Sequence, residues 1–155
     1  MRAVTPDTNL YVSALIWGGK PQQLLEMALA HKVRLFISDA IMDEMVEVLE
    51  TKFKHSPKRL AMEKEYIGKR TVRCVPKIKL DVVASDPEDN KIVECAVHSR
   101  SEAIITNDND LQQKSQQKFV GYLIRSRRRR SSSVPWAGFT ILRSVPIGKV
   151  SESRV

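Results

Sequence analysis

Short, compact apolar runs alternate along this chain with longer segments whose apolar residues recur at helical spacing. The compact runs, which are typical of β-strands, cover residues 1–5, 33–37, 71–75, 80–83 and 103–106. The segments with helical spacing begin near Asp7, Pro21, Ser38, Ser56 and Asp86, which are residue types common at or near helix starts. This alternation predicts an α/β fold with a mainly parallel sheet flanked by helices.

Four acidic residues have similar positions relative to the predicted strands. Asp7 follows the first strand and Asp108 lies just beyond the last clear one. Glu44 is on the helix after the second strand, and Asp89 is in the first turn of its helix. Ligands in open α/β sheets bind at the carboxyl ends of the strands. We therefore expect Asp7, Glu44, Asp89 and Asp108 to gather near one edge of the sheet.

Each acidic residue also has a purely structural explanation. Asp7 could be a helix N-cap, and Asp89 a first-turn acid favoured by the helix dipole. Asp108 and Asp110 could form a turn, and Glu44 could lie on a solvated helix face. Glu44, however, adjoins the predicted buried stripe of its helix, which consists of Ile41, Met45, Val48 and Leu49.

A cluster of carboxylates indicates a bound cation, because crowded negative charges repel one another and stay ionised most readily beside a positive ion. Mg²⁺ and Mn²⁺ accept all-oxygen ligand sets and retain water molecules. Such ions can activate water for attack on a phosphodiester and stabilise the leaving oxygen.

The net charge of +8 is concentrated near the C-terminal end of the 155 residues. Residues 1–113 contain 16 Lys or Arg against 17 Asp or Glu, whereas residues 114–155 contain 10 against 1. The most basic segment carries five arginines, which are Arg125, Arg127, Arg128, Arg129 and Arg130. Two explanations are open for this run: a solvated, flexible loop, or contacts with RNA phosphates.

Other features indicate a single cytoplasmic domain. The sequence contains no apolar run near the roughly 20 residues that a membrane span needs, and its first residues lack the apolar region of a signal peptide. We therefore expect no membrane association. Cys74 and Cys95 are too few for a disulfide framework. We predict that both are reduced, buried and packed as small hydrophobic residues.

Four segments in order resemble the PIN-domain family. They are VTPDTNLYVSALIWGGKPQQLLEMA, LFISDAIMDEMVEVL, SDPEDNKIVECA and AIITNDNDL. Each is weakly specific alone, but together they cover residues 1 to about 111 in the family's order and spacing. Within the family, the chain is similar to putative toxin components of toxin–antitoxin systems, of the VapC type.

The resemblance implies a three-layer, Rossmann-like fold and a Mg²⁺- or Mn²⁺-dependent endoribonuclease. It places the metal-binding, catalytic acids at Asp7, Glu44, Asp89 and Asp108. It places supporting polar residues at Asn9 and Thr106, with Asp110 as a near neighbour of Asp108. It also implies RNA as the substrate, a homodimer and a cognate antitoxin protein as partner.

The chain departs from the family pattern at two places. Pro6 stands where an aliphatic residue usually precedes the first aspartate, and residues 112–138 replace a short helix before the last strand. We therefore divide the chain into a PIN-like body, residues 1–111, and a basic, divergent segment, residues 112–155. That segment offers residues 139–142 as the last strand, with residues 119–124 as a rival. A non-catalytic PIN-like RNA-binding or interaction protein is the alternative function.

Overall fold

The computed structural model describes residues 2–77, 79 and 90–106, together with the backbone of residues 118–119, 122–127 and 140–146. The described strands are β1 (Arg2–Pro6), β2 (Val33–Ser38), β3 (Val72–Cys74), β4 (Ala103–Thr106), β5 (Lys118–Phe119), β6 (Tyr122–Arg127) and β7 (Thr140–Pro146). The described helices are α1 (Thr8–Ile16), α2 (Gly19–Leu29), α3 (Asp39–Thr51), α4 (Pro57–Gly68) and α5 (Asn90–His98).

The described strands form one sheet in the order β3-β2-β1-β4-β7-β6-β5. Its first four strands are all parallel, with Val4 of β1 paired to Leu35 of β2 and to Ala103 of β4. Parallel neighbours need crossover connections, which the helices supply. The predicted three-layer α/β architecture with a mainly parallel sheet is confirmed.

Side-chain caps fix where three of the helices begin. The carboxylate of Asp7 accepts a hydrogen bond from the backbone N–H of Leu10 at 2.8 Å. The hydroxyls of Ser38 and Ser56 accept longer hydrogen bonds, of 3.4 and 3.3 Å, from N–H groups in the first turns of α3 and α4. These caps satisfy N–H groups that have no partner inside a helix. Between α1 and α2, Gly18 and Gly19 adopt φ of 68° and 65°, a conformation that glycine tolerates best.

The core lies between the parallel strands and the helices that pack against them. Ile41, Met45 and Leu49 of α3 are fully buried, whereas Val48 is only partly buried. The predicted stripe is therefore correct for three of its four members. In α5, Ile92, Val93, Cys95 and Ala96 are buried, which brings this helix against β1, β2 and β4.

Most predicted element positions are confirmed, with one correction. The first strand does not end at residue 5, as predicted; Pro6 is its last residue and pairs with Ile105 of β4. Its missing N–H is tolerated there because the strand ends at this point. The predicted strand over residues 80–83 and the predicted start of α5 at Asp86 lie outside the described residues.

Three strands follow β4 in the sheet, and each pairs antiparallel with the strand before it. Strand β7 pairs with β4 and includes residues 140–142 of the predicted last strand, which runs on to Pro146. The rival segment is also a strand in part, since β6 covers Tyr122–Arg127 and pairs with β7. Arg125 and Arg127 therefore belong to a strand, and the flexible-loop interpretation is wrong for them. Arg128, Arg129 and Arg130 lie outside the described residues.

In the part of the chain that the structure describes, none of the helices is long and apolar enough to cross a membrane.

Candidate functional site

Asp7 lies at the junction of two adjacent strands and a helix. Its backbone N–H donates to the carbonyl of Ile105 at 2.9 Å, which ties the end of β1 to the end of β4. Its side chain caps α1 through Oδ1. The residue is only 2% exposed, so the capping role proposed as the structural explanation is real. It does not exclude a role in chemistry, because the other carboxylate oxygen faces a different partner.

That partner is Thr106, the last residue of β4. Its hydroxyl donates a hydrogen bond to Oδ2 of Asp7, and the threonine is fully buried. Hydrogen bonds to the charged form favour an ionised carboxylate in a buried place. The structure thus brings Thr106, one of the predicted supporting residues, into direct contact with Asp7.

Glu44 reaches the same region from α3. The hydroxyl of Thr8, the residue after Asp7, donates to Oε2 of Glu44. Since Asp7 and Thr8 are consecutive, this contact places the Glu44 carboxylate beside the start of α1. Glu44 is half-buried, whereas Asp43 and Glu47 on the same helix are exposed. The helix spacing thus predicted correctly which acid of α3 turns towards the protein.

Lys91 of α5 completes the described contacts around Glu44. Its Nζ lies 2.9 Å from Oε2 of Glu44, and the two side chains are 19% and 26% exposed. Among the described residues, both contacts of this carboxylate fall on Oε2. Asn90, the residue before Lys91, is buried at the start of α5. The first turns of α1 and α5 therefore both contact the Glu44 carboxylate, and the region around Asp7 and Glu44 is called the acidic pocket below.

The other predicted acids and supporting polar residues fall in two groups. Asn9 is exposed on the first turn of α1, so its predicted supporting role has no described contact to Asp7 or Glu44. Asp89, Asp108 and Asp110 lie outside the described residues. Of the four predicted acids, the described structure thus brings together Asp7 and Glu44.

Thr8 and Lys91 were not among the predicted site residues. The signal for Thr8 was its position directly after Asp7 in the helix-starting triplet Asp7-Thr8-Asn9. The signal for Lys91 was a cation two residues after Asp89 at the start of an acidic helix motif. Neither signal shows which carboxylate a side chain will reach, because that depends on how α1, α3 and α5 pack.

Tyr11 of α1 is buried against β2, and two buried thiols lie between β3 and α5. The hydroxyl of Tyr11 donates to the carbonyl of Phe36 at 3.0 Å. Burial raises the pKa of Tyr11 well above its ordinary value, and the neighbouring Cys95 and Asp7 add to the effect. Tyr11 therefore stays neutral at physiological pH and acts as a fixed hydrogen-bond donor to the Phe36 carbonyl.

The thiols of Cys74 and Cys95 lie 2.9 Å apart between β3 and α5. Both are free and buried, as predicted. Burial raises the pKa of each thiol, most strongly for Cys95. Both are consequently protonated and packed as apolar groups at neutral pH.

The oxygen chemistry of the pocket fits a hard divalent cation. Asp7 and Glu44 offer carboxylate oxygens, which Mg²⁺ and Mn²⁺ prefer. Within residues 2–77, 79 and 90–106, no group of three or more His, Cys, Asp or Glu side chains is arranged for a metal ion. The predicted set contains two further acids that lie outside those ranges, Asp89 and Asp108.

Comparison with known proteins gives one family match. The profile of the family described as PIN domain matches residues 3–110. This range contains all four predicted acids and ends before the basic run. A search of curated proteins gives no match.

Proposed function

The chain belongs to the PIN-domain family, and from this premise we propose that it is a Mg²⁺- or Mn²⁺-dependent endoribonuclease. Proteins of this family are generally nucleases and generally use divalent metal ions. The observation that carries the proposal is the buried Asp7 carboxylate at the ends of β1 and β4, with Glu44 beside it across Thr8. This is the edge at which open α/β sheets bind their ligands.

The proposed roles of the residues follow from their surroundings. Asp7 is held rigidly by Leu10 and Thr106. Its carboxylate therefore does not need to move when a metal ion binds. Glu44, Asp89 and Asp108 are the other proposed metal ligands. When bound, a divalent cation supplies an activated water and stabilises the leaving oxygen of the phosphodiester.

Water attack suits this pocket because the described residues around Asp7 and Glu44 are carboxylate, hydroxyl and ammonium groups. Cys74 and Cys95 are poor candidates for a nucleophile, since burial raises their pKa and keeps them protonated. The proposed role of the protein is therefore to place the phosphate and the water against a fixed set of carboxylates.

We further propose that the enzyme is the toxin of a toxin–antitoxin pair in the cytoplasm. The four motif segments, which resemble VapC-type toxins, support this narrower assignment. A homodimer and a cognate antitoxin protein are the proposed partners, and RNA is the proposed substrate. The basic run from Arg125 to Arg130 is a proposed contact for RNA phosphates.

A cleavage assay on labelled RNA tests the proposal. The purified protein is incubated with single-stranded and structured RNA in Mg²⁺, in Mn²⁺, and in EDTA. We expect cleavage within the RNA chain in either metal and none in EDTA. Activity that survives complete removal of metal would contradict the metal mechanism. RNA binding without cleavage under any metal condition would instead identify a non-catalytic RNA-binding protein.

A further inference from the structure

Lys91 is a cation placed directly against one of the proposed metal ligands. Its ammonium group lies 2.9 Å from Oε2 of Glu44, and both side chains are largely shielded from water. Such a pair is stronger than an exposed ion pair because less solvent screens it. An ammonium group so close to a ligand carboxylate affects any second cation that binds there.

Thr8 and Lys91 hold the same oxygen of Glu44. The hydroxyl of Thr8 and the ammonium of Lys91 both donate to Oε2, whereas no contact within the described residues falls on Oε1. The two donors come from the first turns of α1 and α5. They fix the Glu44 carboxylate between two helices by one of its two oxygens.

We propose that Lys91 is a positioning residue and the built-in counterion of this pocket. It neutralises Glu44 before a divalent cation binds and so stabilises the metal-free fold. It also repels an incoming divalent cation and so keeps the affinity of the site for that cation moderate. The inference rests on the proposed metal-dependent function, because it assigns Lys91 a role toward the metal that Glu44 would bind.

Lys91 is expected to stabilise the metal-free fold but to weaken metal binding. Its removal should therefore lower the stability in EDTA and raise the affinity for metal, and the two quantities can be measured separately. Without metal, removal of the ammonium leaves the Glu44 carboxylate with the Thr8 hydroxyl as its one contact among the described residues, which destabilises the fold. With metal, removal of the same ammonium abolishes a repulsion between two cations. Thr8 still holds Oε2, so the carboxylate keeps its place.

The experiment measures Mn²⁺ binding by isothermal titration calorimetry and the thermal midpoint in EDTA, on the full chain. We expect Lys91→Met to lower the Mn²⁺ dissociation constant about tenfold, as the Coulomb repulsion of a divalent and a monovalent cation a few ångströms apart in a wet pocket suggests. We expect its midpoint in EDTA to fall. Lys91→Arg, which keeps the charge, should remain closer to wild type on both measures.

The matched control is Lys69→Met, because Lys69 is also paired with a glutamate. Its Nζ lies 2.6 Å from Glu65, but both side chains are about two-thirds exposed, at 65% and 67%. We expect this variant to leave Mn²⁺ affinity unchanged. An equal change in affinity for Lys91→Met and Lys69→Met would overturn the inference, since it would show only a general effect of net charge.

A double-mutant cycle tests the coupling without metal. Lys91→Met should lower the midpoint in EDTA more in the wild-type background than in the Glu44→Gln background. Equal losses in both would overturn the counterion role. If Lys91→Met does not fold, Lys91→Gln takes its place, since it removes the charge and keeps a hydrogen-bond donor.

The outcomes separate this inference from the proposed function. Mn²⁺ binding by the wild type with unchanged or weaker binding by Lys91→Met would overturn the inference alone. A wild-type protein that binds no Mn²⁺ would overturn the metal site, and the inference with it.

Discussion

At the scale of single residues, Asp7 combines a structural and a proposed chemical role in one carboxylate. Oδ1 caps α1 through Leu10, and Oδ2 accepts from Thr106. An asparagine at this position keeps an oxygen for the cap but removes the negative charge. Stability and metal binding can therefore be separated by the choice of substitution.

We predict that Asp7→Asn abolishes RNA cleavage and changes the free energy of unfolding by less than about 1 kcal/mol, because asparagine caps helices as well as aspartate does. Asp7→Ala removes the cap as well, and should cost about 1–2 kcal/mol. Urea unfolding in EDTA and the cleavage assay measure the two properties. If Asp7→Asn loses as much stability as Asp7→Ala, the negative charge itself stabilises the fold, and stability and metal binding cannot be separated at this position.

The two buried thiols give a second prediction at this scale. Burial raises the pKa of both Cys74 and Cys95, and the thiolate is the reactive form. We expect both to resist iodoacetamide in the native protein at neutral pH and to react once guanidinium unfolds it. Mass spectrometry counts the modified sites. Rapid alkylation of the native protein would show that the region around β3 and α5 opens readily.

At the scale of elements, α3 offers an internal comparison of three acids. Glu44 is half-buried and bonded to Thr8 and Lys91, whereas Asp43 and Glu47 are exposed. Consecutive helix residues differ by about 100° in direction, so Asp43 cannot share the position of Glu44. The face of the helix, and not its acidic composition, distinguishes these residues.

We predict that Glu44→Gln lowers the cleavage rate by orders of magnitude and weakens Mn²⁺ binding, because it removes a ligand charge while preserving size. Asp43→Asn should have little effect, and Glu47→Gln a smaller effect than Glu44→Gln. Single-turnover cleavage rates and calorimetry check the three variants. Small and equal effects at all three positions would return Glu44 to the role of an ordinary surface residue.

A buried polar pair joins the connection between α3 and α4 to the middle of α4. Nδ1 of His55 lies 2.8 Å from Oε2 of Glu63, and the two side chains are 5% and 11% exposed. Arg59 adds a contact of 3.2 Å to the other oxygen of Glu63. These bonds tie the α3–α4 connection to the body of α4.

We predict that Glu63→Ala costs about 1–3 kcal/mol of stability, because it leaves buried polar groups without their partner. Glu65→Ala, two residues along the same helix, removes only an exposed ion pair with Lys69 and should cost less than about 1 kcal/mol. Urea unfolding of the two variants gives the comparison. Equal stability losses would mean that the His55 pair contributes nothing beyond an exposed pair.

How far the sequence predicts these elements depends on which kind of signal each one carries. Ser38 and Ser56 marked helix starts correctly because capping is a local interaction between a side chain and the next turn. The role of Lys91 was not predicted, since it depends on the distance between α3 and α5. Thr8 was missed for the same reason, because a threonine after a helix cap contacts whichever helix packs over it.

At the scale of the whole molecule, the alternation of strands and helices was sufficient to predict the parallel sheet, and with it the edge at which Asp7 lies. The two antiparallel strands β6 and β7 were harder to place. Their segments were recognised as alternatives for one last strand, whereas both belong to the sheet. A choice between pairings of this kind depends on contacts between distant segments, which local apolar patterns do not encode.

The excess positive charge lies in the same part of the chain as the antiparallel strands β5, β6 and β7. The parallel body carries nearly balanced charge, whereas residues 114–155 carry 10 Lys or Arg against 1 acid. Within β6, Arg125 pairs in register with Arg143 of β7. The proposed contact with RNA phosphates rests on this concentration of positive charge.

We predict that replacement of the arginine run by serine weakens RNA binding and leaves the metal chemistry intact. Neutralised phosphates release counterions, so the logarithm of the binding constant falls with the logarithm of salt concentration by about 0.7 for each contact to single-stranded nucleic acid. The variant changes Arg125, Arg127, Arg128, Arg129 and Arg130. Its salt slope should be shallower than that of the wild type by up to about 3.5 if all five arginines bind phosphate. Fluorescence anisotropy of labelled RNA in EDTA, at several salt concentrations, measures the slope.

The matched control removes five positive charges from the exposed surface of the body instead. It changes Lys52, Lys54, Lys58, Lys64 and Lys69 to serine, all of which are exposed around α3 and α4. Both variants lose the same net charge, so a difference between their salt slopes reports where RNA lies and not how positive the protein is. Cleavage at saturating RNA should remain at the wild-type rate in the arginine variant, because Asp7 and Glu44 are untouched. A salt slope that is unchanged in the arginine variant and reduced in the lysine variant would place RNA on the helical body and leave the arginine run without a role in binding.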